Sequence, residues 1–244
     1  MLRPYGAGVQ VQNVECKMNI RLLCLIAACL GLSACSVNSS TLMPTPRFLA
    51  LGDSYTIGQS VPLDQPWPVQ LVTHLRSGGT SIEDPVIIAT TGWTTDELSA
   101  GIDAKNPQGT YELVSLLIGV NNQFRGRDTG EYRDQFRALL IRAIGFANHV
   151  ASHVIVLSIP DWGATPFAIG RDTAAIAIAI DNFNAINKAE TVAAGAQYVD
   201  ITPISRKAPM DGTLIAGDRL HPSGKMYSEW VALVLPVAKE ILKK

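Results

Sequence analysis

Five short apolar runs, each stopped by turn residues and parted from the next by a helical stretch, constrain this chain more than any other feature. The runs are Arg47–Leu51, closed by Gly52-Asp53, then Val86–Thr90, Leu113–Ile118, Val154–Ile159 and Tyr198–Ile201. Their length, bounding turns and β-branched content predict buried strands. Helices are predicted between and after them. Trp67–Arg76 follows a proline, and Glu131–Asn148 carries Phe136, Leu139, Leu140 and Ile144 at helical spacing. Ala174–Ala194 starts after an Asp172 cap and stops at Gly195, and Pro222–Leu242 closes the chain. Within the third, Ile176, Ile178 and Ile180 alternate as a strand would, but Ile180, Phe183 and Ile186 continue at helical spacing in an Ala-rich stretch. The prediction there is helix. Strands alternating with helices imply a mostly parallel sheet covered on both faces.

Ahead of this domain, Met18–Ser36 has the layout of a secretory signal. Arg21 precedes an apolar run from Leu22 to Leu32, and small residues lead into Cys35. The run is about 11 residues, well short of the roughly 20 that span a bilayer. Leu32-Ser33-Ala34-Cys35 resembles a bacterial lipobox, with Cys35 as the lipidated residue. Residues 1–17 fit poorly before such a signal and are expected to be an over-extended start. The expected organisation is therefore signal peptide 18–34, lipidated cysteine and tether 35–46, and one domain over 47–244. Cys16, Cys24, Cys29 and Cys35 then all fall before the domain, which has no disulfide or thiol chemistry of its own. By resemblance to the lipoprotein sorting rule, Ser36 favours the outer membrane of a bacterial cell envelope, facing the periplasm.

About 200 residues suit a single domain with a substantial core. A formal net charge of −1 provides no basic field for nucleic acid or anionic headgroups. In a parallel sheet, ligands bind beyond the carboxyl ends of the strands. Gly52-Asp53-Ser54, Thr91-Gly92-Trp93 and Gly119-Val120-Asn121-Asn122 each sit just past a predicted strand, so they are expected to converge on one edge. A serine on such a turn is exposed and becomes a nucleophile if a base comes within reach. His221 is the candidate base, and Asp218, three residues upstream, can hold its tautomer and stabilise the imidazolium. The Ser54 and Gly92 N–H groups and the Asn121 amide are candidate donors to an oxyanion. Each block alone is a common turn or cap; their joint occurrence at strand ends is the informative observation.

On these blocks the chain resembles the SGNH hydrolase superfamily, also called GDSL esterases and lipases. The matching segments are Gly52-Asp53-Ser54, Gly92, Gly119-x-Asn121-Asn122 and Asp218-x-x-His221-Pro222, spread over about residues 47–240. The resemblance implies a three-layer α/β/α flavodoxin-like sandwich with a five-stranded parallel sheet. It implies Ser54 as nucleophile, His221 as base, Asp218 as its orienter, and Gly92 with Asn121 in the oxyanion hole. Asn122 departs from the usual Asp, a position that supports the turn.

Other readings fit less well. A Gly-x-Ser-x-Gly elbow, a dinucleotide fingerprint and a P-loop are all missing. His149 and His153 straddle a helix end and a strand start and are read as boundary residues, and His74 as a surface one. No metal or organic cofactor is expected, and the domain is expected to be a monomer. The expected function is a lipid-anchored serine esterase acting on small acyl esters or lysophospholipids. A carbohydrate acetylesterase, a catalytically silent carbohydrate- or lipid-binding relative and a structural envelope lipoprotein are the alternatives. Pocket walls are expected from Thr56–Trp67, Trp93, Gln123–Asp128 and Asp161–Arg171. Trp93, Phe124, Trp162 and Phe167 fit a pocket lining or the core equally well.

Overall fold

The computed structural model describes residues 44–243. The expectations for residues 1–17, the signal at 18–34, Cys35 and most of the tether lie outside these residues. In chain order the elements are β1 (Phe48–Asp53), α1 (Ser54–Ile57), α2 (Trp67–Ser77), β2 (Val86–Thr90), α3 (Thr95–Lys105), β3 (Leu113–Leu117), α4 (Val120–Phe124) and α5 (Thr129–Phe146). They continue with β4 (Val154–Leu157), α6 (Thr173–Ala193), β5 (Gln197–Val199), α7 (Thr202–Ser205) and α8 (Gly224–Leu242). All strand pairings are parallel, in the order β2-β1-β3-β4-β5. This is the flavodoxin-like order expected from the resemblance.

The order dictates the layers. A right-handed crossover from β1 to β2 runs opposite to those from β2 to β3, β3 to β4 and β4 to β5. It therefore puts α2 on one face, and α3, α5 and α6 on the other. Helix α8 packs against α2, while α3 packs on α5 and α5 on α6. The strands of β1, β3 and β4 are buried along their whole length, as a sheet covered on both faces requires.

Local chemistry explains where elements begin and end. Asp128 accepts from the N–H groups of Gly130 and Glu131 and starts α5 earlier than Glu131. Asn148 and His149 take left-handed backbone (φ 54° and 62°) and stop the helix at Phe146. The Asp172 cap of α6 is present, accepting from Ala175 N at 2.9 Å. In that helix Ile176 and Ile180 are buried while Ile178 is 63% exposed, the four-residue spacing of a helix face. Strand β5 stops at Val199 because the Asp200 carboxylate turns the chain, accepting from Ser158 Oγ (2.9 Å) and Thr202 N (3.1 Å). Helix α8 starts at Gly224 rather than Pro222. Pro222 pairs with Ile215 in an isolated bridge, and the Ser223 hydroxyl caps the first turn. Helix α3 was not anticipated, although Thr94 and Glu97 form a capping box at its start.

Candidate active site

In an order 2-1-3-4-5 the switch point lies between β1 and β3, and there the two chains leave the sheet in opposite directions. Gly52 of β1 pairs with Leu117 of β3, so the segments beginning at Asp53 and at Ile118 emerge side by side. Gly119 makes the second exit possible. Its φ is 128°, and a Cβ there would lie 2.3 Å from Tyr132 Oη. Beyond these exits is a cleft of about 170 Å³, lined by Ser54, Asn121, Phe124, Trp162, Phe167 and His221 among others.

Ser54 opens α1 directly after β1, with Asp53 as the cap: Asp53 Oδ1 accepts from Tyr55 N at 3.0 Å. Both Asp53 and Ser54 are buried. Burial pushes the Asp53 carboxyl up to about 7, and the bond from Tyr55 N–H only partly offsets it.

His221 comes from the segment before α8. Its Nδ1 lies 2.6 Å from Asp218 Oδ2, and its ring packs on Tyr55 at 5.3 Å between centroids. Asp218 is itself fixed. Its Oδ1 accepts the backbone N–H groups of Leu220 and His221, both at 3.0 Å, and its Oδ2 also accepts from Ser60 Oγ at 2.6 Å. Partial burial raises the pKa of this carboxyl, but the bonds from Ser60, Leu220 and His221 together outweigh it and hold it well below the usual range. A carboxylate kept ionised against Nδ1 holds the ring proton there and leaves Nε2 to accept. Asp200, the other acid near this edge, is committed to Ser158 and Thr202 and borders a separate depression with Asp181 and Arg206.

The candidate donors divide. Asn121 lines the cleft, and its Nδ2 donates to Trp93 O at 2.9 Å. The second hydrogen of that amide has only a long contact, 3.5 Å, to Asp53 Oδ2. Gly92 does not line the cleft. It sits on the adjacent turn with φ 86°, and its N–H has no partner among the described residues. Asn122 is buried and faces away from the chemistry. Its Oδ1 accepts from Thr95 N at 3.1 Å and its Nδ2 donates to Thr95 Oγ1 at 2.7 Å, tying α4 to the start of α3.

Two residues that the sequence did not single out complete the frame. Ser60 belongs to the α1–α2 loop and meets Asp218 from 158 positions away. Arg125, at the end of α4, donates through Nη2 to Gly92 O at 2.6 Å and through Nη1 to Glu97 Oε1 at 3.1 Å. Glu97 in turn accepts from Thr94 N at 2.9 Å. Arg125 thus links the turn carrying Gly92 to the helix carrying Asn121. No local signal marks either residue, because each partner is remote in sequence.

Of the four aromatics, Phe124, Trp162 and Phe167 line the cleft. Trp93 packs instead on α3, its ring filling the space beside Gly101. Trp67 lies in the core. His74 is exposed on α2, and His149 and His153 remain at the α5–β4 boundary. Among the described residues there is no cluster of His, Cys, Asp or Glu able to hold a metal ion. Nor is any of their helices long and apolar enough to cross a membrane.

A 2-1-3-4-5 parallel sheet with Ser54, Asn121 and His221 gathered in one cleft at its switch point is the arrangement of an α/β ester hydrolase. More narrowly, the chain belongs to the GDSL-like lipase/acylhydrolase family, whose profile matches residues 50–228. Its fold is similar to that of TesA, with a TM-score of 0.62 at 18% identity, covering 80% of this chain and 99% of that one. It is similar also to the psychrotrophic esterase EstA from Pseudoalteromonas sp. (TM-score 0.60, 17% identity, 81% and 99% covered). Axe2, an acetylxylan esterase from Geobacillus stearothermophilus, gives a TM-score of 0.58 at 18% identity, with 83% and 97% covered. No curated protein matches the chain in sequence.

Proposed function

We propose that the chain is a serine ester hydrolase working through an acyl-enzyme on Ser54. The observation carrying this reading is the 2.6 Å bond between His221 Nδ1 and Asp218 Oδ2, in a cleft that Ser54 and His221 both line. Ser54 Oγ attacks the ester carbonyl and passes its proton to His221 Nε2. The resulting oxyanion is met by the Ser54 and Gly92 N–H groups and the Asn121 amide. Collapse expels the alcohol, which leaves with the proton from His221. Water activated by the same histidine then releases the acid and restores the serine. No step calls for a metal or an organic cofactor.

Small acyl esters or lysophospholipids are the proposed substrates, because the cleft is modest in volume and apolar on its aromatic side. An acetylated carbohydrate is the second reading, favoured by the ring surfaces of Phe124, Trp162 and Phe167 and by the likeness to Axe2. A chain-length series of p-nitrophenyl esters, run beside lysophosphatidylcholine and acetylated xylan, decides between them. Ser54→Ala is expected to abolish turnover of all of them, and a fluorophosphonate probe to label Ser54; labelling of another serine overturns the assignment. Leu32–Cys35 supports anchorage of the domain through a lipid on Cys35, and Ser36 favours the outer membrane. Loss of lipid labelling in Cys35→Ser is the expected result, and an unlipidated wild type refutes it.

A further inference from the structure

Beside the cleft, on the rim of an adjacent depression, stands a charged side chain whose role the catalytic reading leaves open. The Arg171 guanidinium stands over all three aromatic rings of the wall, 5.4 Å from the centroids of Trp162 and Phe167 and 5.7 Å from that of Phe124. The rings themselves pack at 5.3 to 6.3 Å from one another, so they form one surface with the cation on it. Attraction between a guanidinium and a ring face operates within about 6 Å of the centroid. It holds the position of the arginine while occupying none of its five N–H donors.

Those donors have no acceptor among the described residues, and no carboxylate there lies within 4.0 Å of them. Arg219, whose carbonyl accepts from Phe167 N, is likewise without a side-chain partner among the described residues, but it stands over no ring; the other arginines nearby are paired. Arg125 pairs with Glu97, Arg127 with Asp96 and Glu131, and Arg206 with Asp161 and Asp181. Asp172, next in the chain, directs its Oδ1 to the start of α6. A planar fork fixed through its faces, with free edges, matches the oxygens of a carboxylate or phosphate.

Resting on the hydrolase reading above, we infer that Arg171 selects esters bearing an anionic group, a carboxylate or a phosphate, whose apolar part lies on Phe124, Trp162 and Phe167. The arginine touches the part of the substrate away from the reacting carbonyl, so its contribution is to binding. It is expected in KM more than in kcat. As an exposed pairing it weakens as salt screens it.

Two matched pairs test this. Mono(4-nitrophenyl) succinate against 4-nitrophenyl butyrate places the charge on the acyl side as a carboxylate. 1-Octanoyl lysophosphatidic acid against 1-octanoylglycerol places it on the alcohol side as a phosphate. In Arg171→Gln the anionic-to-neutral ratio of kcat/KM is expected to fall by about 5- to 20-fold in at least one pair. Arg171→Lys should restore part of that ratio, Arg171→Glu should lower it further, and 0.5 M NaCl should narrow the wild-type preference. The pair that responds identifies which anion is read. An unchanged ratio in both pairs, whether or not the rates fall, overturns the inference and makes Arg171 a brace for the rings. Binding of both anionic esters to Ser54→Ala protein, with and without Arg171→Gln, gives a readout independent of turnover. If the wild type cleaves none of the four esters, the hydrolase reading fails by itself. Equal binding of both anionic esters with and without the arginine is the separate result that sinks the subsite.

Discussion

Asp218→Asn tests the candidate site at the point where its geometry is most explicit. The two carboxylate oxygens of Asp218 have different duties. Oδ1 accepts the backbone N–H groups of Leu220 and His221, whereas Oδ2 accepts Ser60 Oγ and faces His221 Nδ1. An amide at this position keeps its oxygen toward the two backbone donors, since its nitrogen cannot accept from them. The NH₂ group then replaces Oδ2 and points a hydrogen at Nδ1. Nδ1 becomes an acceptor, the ring proton moves to Nε2, and the nitrogen that should take the serine proton is already occupied. The charge that stabilises the imidazolium is lost as well. A wrong tautomer in a Ser-His-Asp arrangement costs on the order of 10³–10⁴ in kcat, or about 4–5.5 kcal/mol of barrier. Because both backbone bonds survive, the loop and the thermal unfolding midpoint should change little. The assay is steady-state hydrolysis of p-nitrophenyl acetate beside circular dichroism. Ser60→Ala removes a donor from an exposed position that water can fill, so only a few-fold loss is expected. Asp200→Asn, whose partners are Ser158 and Thr202, should leave kcat close to wild type. If Asp218→Asn keeps more than a tenth of the activity, or if Asp200→Asn is the crippling change, the acid has been misassigned.

Four further substitutions test the same contacts. Asn121→Ala should lower kcat by on the order of 10²–10³ with KM nearly constant. Asn122→Ala should act mainly on stability, by about 1–3 kcal/mol in chemical denaturation, since it strands the buried Thr95 groups; a reversed ranking would shift the donor by one residue. Arg125→Gln should reduce kcat about tenfold and bind a phosphonate transition-state mimic correspondingly less tightly, with partial recovery in Arg125→Lys, if the Gly92 turn depends on its 2.6 Å bond. Burial raises Asp53 from the ordinary carboxylate value of 3.8 to about 7, so it binds its proton more tightly in the folded state, and its contribution is complete below pH 3.8 and is lost as pH rises through 7. Up to about 4 kcal/mol is at stake, and Asp53→Asn should gain more in melting temperature relative to wild type at pH 8 than at pH 5; an equal gain at both pH values would refute the shift.

The sheet was legible because its central strands β1, β3 and β4 are buried on both faces, which leaves short uninterrupted apolar runs; the edge strand β2, exposed at both ends, was marked by its β-branched residues and coincides with Val86–Thr90. Boundaries set by side-chain bonds were less legible. Asp200 ends β5 through Ser158, a residue 42 positions earlier, and the first turns of α5 and α8 depend on caps. Helix α3 escaped because Thr95–Lys105 has a weak apolar face. Only the Thr94–Glu97 box marked it, and those same residues complete the Arg125 network. Within the site, the Asp218–His221 pair could be read locally, since three residues suffice to close it. Ser60 and Arg125 act across the fold, and nothing in their own neighbourhoods reveals it.

The two aspartates of the quoted blocks sit in opposite environments, and the contrast bears on the proposed oxyanion site. Asp218 is partly open and ringed by donors, so its carboxylate stays ionised beside His221. Asp53 is fully buried with one short bond, to Tyr55 N–H, and is pushed toward its neutral form. The Asn121 amide has two hydrogens: one is committed to Trp93 O, and the other must choose between Asp53 Oδ2 at 3.5 Å and a substrate oxyanion. An ionised Asp53 would compete strongly for it, because a charged acceptor bonds about twice as well as a neutral one. Burial weakens that competitor up to about pH 7, and the long 3.5 Å contact leaves the hydrogen free to turn into the cleft. The same burial that costs stability when Asp53 ionises thus keeps the amide available where negative charge would develop.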